Sequence, residues 1–66
     1  MKSFSESAAR TWSKVHVREV YEMVVQDIQD LDSDIRDESN PNVRTILKEN
    51  RDNMREERDF LRELLR

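Results

Sequence analysis

A seven-residue stagger runs through this chain twice, once on each side of its only proline, Pro41. Val17, Tyr21, Val24, Ile28, Leu31 and Ile35 step alternately by four and three residues, and Val43, Leu47, Asn50, Met54, Glu57, Leu61 and Leu64 resume the same step. Side chains at that spacing fall on one side of an α-helix, so each half predicts a helix with one stripe, and two such stripes close on one another as a seam. The pattern predicts an all-α chain, an antiparallel helical hairpin of coiled-coil type.

The boundaries follow from the residues around the proline. Glu38, Ser39 and Asn40 interrupt the pattern, and the residue before a proline is driven out of the helical region. Asn40 suits an N-cap and Pro41 the first helical position, where its missing N–H costs nothing. The first helix is expected to run to about residue 37, the turn over 38–40, and the second helix from about 41, with Arg62 and Arg66 complementing its dipole. A connection this short makes the helices antiparallel neighbours. Ser3 and Glu6 have the spacing of a capping box, so the first helix can start near residue 3. Ser13, or Thr11 before it, can instead start a shorter helix and turn the first dozen residues into an arm.

Folding about Asn40 sets Leu64 and Leu65 roughly opposite Val15 and Lys14 at ~1.5 Å per residue. Residues 1–12 are therefore expected to project past the second helix, as an amphipathic extension of the first, without intramolecular cover. Phe4, Ala8 and Trp12 share one face there, and Lys2, Arg10, Lys14 and Arg18 surround them against Glu6 alone. Such a composition also suits a targeting or membrane-surface segment. Because the stripe continues unbroken into an acidic helix, the expectation is a partner-facing segment in which Phe4, Ala8 and Trp12 bind another protein.

With 66 residues and no cysteine, the chain makes at most one small domain that disulfides cannot staple. Self-association is the remaining support. Apolar residues spill from the seam as Val20, Ile46 and Phe60, with Asn53 among them. That flank is expected to be buried in a homodimer closing into a four-helix bundle, an architecture similar in fold alone to the small plasmid and phage regulators of the Rop type. Asn50 and Glu57 sit where leucine would pack better, and a polar seam residue fixes register and oligomeric state at a cost in stability. Tyr21 lies roughly opposite Glu57 and could donate to it.

Charge is arranged in ridges. Arg44, Lys48, Arg51, Arg55, Arg58, Arg62 and Arg66 form a basic ridge on the second helix, and Glu49, Asp52, Glu56, Asp59 and Glu63 an acidic one beside it. By linear register Asp27, Asp30, Asp34 and Asp37 would zip against Arg55, Arg51, Lys48 and Arg44. The helical wheel puts those aspartates on g and c positions and the cations on e and b, so the hairpin is expected to have one acidic and one basic face. The basic ridge is expected to be a solvated face that can dock an acidic protein surface. A nucleic-acid backbone is its alternative partner, with the net charge of −3 and the lack of interleaved aromatics against it.

Chemistry has little to work with. Asp30, Asp32 and Asp34 imitate the start of an EF-hand loop but meet Ile35 and Pro41 where glycine and a bidentate glutamate belong. His16 and Glu19 reverse the order of a diiron ligand pair and lie off the seam. No nucleophile stands beside a base, and the absence of glycine removes phosphate loops. The chain is therefore expected to be a non-enzymatic interaction module, without metal or cofactor: a regulator, adaptor or assembly factor. The alternatives are a nucleic-acid-binding regulator and the oligomerisation hairpin of a larger complex. No run approaches a membrane span or a secretory signal, which predicts a cytoplasmic protein.

Overall fold

The computed structural model describes residues 4–66, and these form three helices and no strand. Helix α1 is a single turn, Glu6–Ala9; α2 spans Lys14–Asp37 and α3 spans Pro41–Leu64. The molecule measures 41 × 18 × 14 Å, the outline of two long helices side by side. No helix of the described residues is long and apolar enough to cross a membrane.

Each long helix begins at a cap written in its sequence. Ser13, extended at ψ 157°, accepts from the His16 N–H at 3.1 Å. Asn40 Oδ1 accepts from Asn42 N at 2.9 Å and Val43 N at 3.4 Å, and Pro41 occupies the first turn. Glu38 turns back to accept the Asn40 N–H at 3.0 Å. The connection therefore satisfies the donors it exposes without a glycine, and no residue of the described chain has positive φ.

Low α3 numbers lie against high α2 numbers: Val43 and Leu47 share a hollow with Asp34 and Asp37, and Met54 one with Asp27 and Leu31. The two helices are thus antiparallel. On α2 the inward residues are Val17, Val24, Ile28 and Ile35, all buried, with Tyr21 and Leu31 half-buried between them. On α3 the inward face departs from the predicted stripe. Arg44, Leu47, Arg51, Met54, Arg58, Leu61 and Leu65 are buried or half-buried, again stepping by three and four, while Val43 and Asn50 are exposed. The first half of α3 is rotated by one position toward its basic ridge. Arginine can occupy such a track because its aliphatic stem covers apolar surface while the guanidinium reaches water or an acid.

The N-terminal segment decides between the two starts that the sequence allows for the first helix, in favour of Ser13. Helix α2 does not continue back through residues 4–12; it starts at Ser13, and the preceding chain folds onto the open end of the hairpin. The Ser3 half of the predicted capping box lies outside the described residues, and the observed cap is Ser5, whose Oγ accepts from Ala8 N at 3.5 Å. Successive i→i+3 bonds, Thr11 N to Ala8 O at 3.0 Å and Trp12 N to Ala9 O at 3.1 Å, tighten the chain and stop α1. The Thr11 hydroxyl donates to the same Ala8 carbonyl at 2.7 Å, a local bond that competes with helix propagation.

What this turn gains is burial. Ala9 is fully buried, and Phe4 and Trp12 pack beside Leu61, Leu64 and Leu65. The Phe4 ring lies 5.4 Å from Trp12 and 6.2 Å from Phe60, and the Arg10 guanidinium stands 5.1 Å above the Phe60 ring. Full burial of an aromatic side chain is worth about 1.5–3 kcal/mol, and the half-buried Phe4 and Trp12 gain a part of that each, beside the fully buried Ala9. Interrupting a helix at threonine, tryptophan and serine forgoes only ~0.5 kcal/mol per residue in propensity. Burial wins, and the segment serves as a lid on the wide end of the hairpin.

Candidate docking surface

With one end capped, exposed apolar side chains remain at Val15 and Met23 on α2 and at Val43 and Ile46 on α3, and the α3 pair lies along the flank where α2 presents its aspartates. A groove of about 340 Å³ runs between the long helices, lined by Asp27, Asp30, Leu31, Asp34, Asn50 and Met54. Toward the turn, a hollow of about 340 Å³ is lined by Asp34, Asp37, Glu38, Val43 and Leu47. Asp34 lines both, so the two hollows adjoin there and make an interrupted channel along α3 from Val43 to Met54. Leu31, Leu47 and Met54 make its floor. Ile46, one turn from both Val43 and Asn50, rises on its α3 edge with 58% of its surface exposed.

The rotation of α3 explains this groove. Turning Arg44 and Arg51 inward swings Val43, Ile46 and Asn50 outward on the opposite flank. Asn50, placed on the seam by the heptad, is therefore a groove residue within the hairpin, whereas Glu57 is 2% exposed. Glu57 is engaged in an interaction of its own. Val20 and Phe60 are half-buried further along the same flank.

The groove's rim is acidic and poorly neutralised. Asp27, Asp30 and Asp34 have no cationic partner among the described residues. Asp30 accepts from Gln26 Nε2 at 3.1 Å, and Asp37 lies 3.7 Å from Arg36 Nε. The zipper that linear register alone would allow between these aspartates and the arginines of α3 does not form, in keeping with the helical wheel. Arg51 instead bonds Asp32 at 3.1 Å on the other flank, a pairing of e position with e position as antiparallel neighbours require.

The basic ridge is largely spoken for within its own helix. Arg55 pairs with Asp52 at 3.6 Å, Arg58 and Arg62 share Asp59 at 3.0 and 2.8 Å, and Arg66 reaches Glu63 at 3.7 Å. Arg44 and Lys48 alone on the ridge lack an acidic partner among the described residues. The Nε atoms of Arg44 and Arg51 are buried without a hydrogen bond. A ridge whose cations face carboxylates three residues away offers a phosphate backbone little net attraction.

Phe4 and Trp12, read as partner contacts, are half-buried in the lid, and Ala8 points outward while Ala9 takes the inward place. Phe4 and Trp12 thus take part of their cover from within the chain. His16 packs edge-on against Trp12 at 4.6 Å and lies 4.0 Å from Glu19. Among the described residues no three His, Asp or Glu side chains converge as metal ligands.

The aspartate series at i, i+3 and i+4 was visible in the sequence, but its role as the wall of a groove was not. That role depends on the rotation of α3, whose signal was the single acid at an e position, Asp32, opposite Arg51. Comparison with known proteins finds no matching family model, no matching curated protein and no matching solved structure.

Proposed function

We propose that this chain is a small non-enzymatic helical interaction module, a regulator, adaptor or assembly factor, that acts by protein–protein contact in the cytoplasm. The observation that carries the reading is the channel over the first half of α3. It leaves Leu31, Leu47 and Met54 only half-buried between the helices, beside the exposed Ile46. An uncovered apolar channel with a polar rim is what a helical partner requires.

Self-association is a second use of this flank, favoured by the 58% exposure of Ile46 beside it. Two copies meeting there would form the coiled-coil homodimer and four-helix bundle that the stripe pattern suggests. A photoreactive residue placed at Ile46 tests both uses, with Ser33, exposed on the outer side of α2, as the control position. Crosslinks from position 46 that position 33 does not give, to a second protein or to a 16 kDa homodimer of the 8.0 kDa chain, are the expected result. Equal crosslinking from both positions, or none from either, refutes the proposal.

A further inference from the structure

The rim of the channel says what kind of partner fits it. Its α2 wall carries Asp27, Asp30, Asp34 and Asp37, one carboxylate per helical turn, of which only Asp37 has a cation nearby. The floor is apolar, and the α3 wall offers Asn50 and the exposed Ile46. An occupant must therefore present an apolar stripe inward and positive charge along one edge. From Asp27 to Asp37 the channel runs about 15 Å at ~1.5 Å per residue, which is three turns of a helix.

A second copy of the chain satisfies these demands poorly. Packed isologously, it brings its own aspartates against this row, and like charges juxtaposed at an interface disfavour association. Packed through its basic ridge, it offers cations of which most are already paired to Asp52, Asp59, Glu63 and Asp32, leaving Arg44 and Lys48 at one end, and no apolar stripe between them. Nucleic acid and anionic lipid are repelled by the same row of carboxylates.

We propose that the channel between α2 and α3, on the Asp27–Asp37 flank, binds a basic amphipathic α-helix of another protein, about three turns long. The inference rests on the contact-module reading and adds the partner's chemistry. Leucine-like side chains at i, i+3, i+4 and i+7 seat on Leu31, Leu47 and Met54, and lysines or arginines on one edge meet Asp27, Asp30 and Asp34.

The test uses the full chain and a fluorescein-labelled 14-residue peptide of leucine and lysine in that register, with a shuffled peptide of identical composition as control. Fluorescence anisotropy is expected to show the patterned peptide binding at least tenfold more tightly than the shuffled one. Asp30→Lys with Asp34→Lys should weaken it at least tenfold, and Ile46→Ser severalfold, with helicity unchanged because all three side chains are exposed. Equal affinity for the two peptides, or indifference to the aspartate changes, overturns the proposal. If the patterned peptide does not bind while position 46 crosslinks to a second copy, the occupant is the homodimer, and only this inference falls. If neither occurs, the contact-module reading falls with it.

Discussion

Arg51 shows how a single side chain sets the geometry of the hairpin. Its side chain is 21% exposed, its stem lies in the seam, and its guanidinium bonds Asp32 at 3.1 Å. The neighbouring Asn50, too short to reach across, is exposed. Asn50→Leu should therefore change stability by less than about 0.5 kcal/mol, as surface substitutions usually do. Arg51→Ala should cost about 1 kcal/mol through lost stem packing and a lost partly exposed ion pair. Urea denaturation of the two variants checks the contrast, and a marked stabilisation by Asn50→Leu would restore asparagine to the seam. Leu61, fully buried at the junction of α2, α3 and the lid, marks the upper end of the scale. Leu61→Ala should cost about 2–5 kcal/mol. The heptad reads apolar positions well, which is why Leu61 and Met54 were legible as inward residues. It reads arginine as solvent by default, and so it misplaced the track by one position wherever a long stem could outcompete a short amide.

At the scale of elements, the long helices and the lid differ in how they are encoded. The starts of α2 and α3 are local events, with Ser13 and Asn40 each accepting from backbone donors two or three residues ahead. Signals of that kind are visible in sequence because cap and donor are neighbours. The lid is not local. Phe4 and Trp12 meet Phe60, Leu61 and Leu64 across the length of the chain, and only the folded hairpin creates the surface they cover. Periodicity alone favoured a continuous helix through residues 4–12, since Phe4, Ala8 and Trp12 do share a helical face. Phe4→Ser should lower the melting temperature, because about 1 kcal/mol shifts it by roughly 4–8 °C in a domain of this size. Removal of residues 1–11 should lower it further. Trp12 emission should be blue-shifted and protected from quenchers in the intact chain and should move to the red in both variants. An unchanged melting temperature after the deletion would mean that the segment contributes nothing to the hairpin.

For the whole molecule, the decisive property is the separation of charge onto two flanks. One flank pairs its charges internally, through Arg51 with Asp32 and Arg58 and Arg62 with Asp59; the other leaves Asp27, Asp30 and Asp34 unneutralised beside an apolar floor. The two contacts proposed for that flank respond to salt in opposite directions. A basic helix is drawn in by the aspartate row, so screening weakens it, and at 0.15 M ionic strength exposed charges separated by more than about 8 Å are largely screened from one another. A homodimer closed across the same row gathers like charges, so screening strengthens it. Where copies do associate through this flank, light scattering between 0.02 and 1 M sodium chloride, with chain concentration fixed, should show mass rising from 8.0 kDa toward twice that value as salt increases. Over the same range, affinity for the leucine–lysine helix should fall steadily, leaving the part contributed by Leu31, Leu47 and Met54. Asp30→Lys with Asp34→Lys removes the common cause of both trends. In that variant dimer mass should lose its salt dependence and the peptide its low-salt advantage. A wild-type dimer that dissociates as salt rises would place the self-contact on paired charges instead, and would shift the homodimer interface from the aspartate flank to the basic ridge.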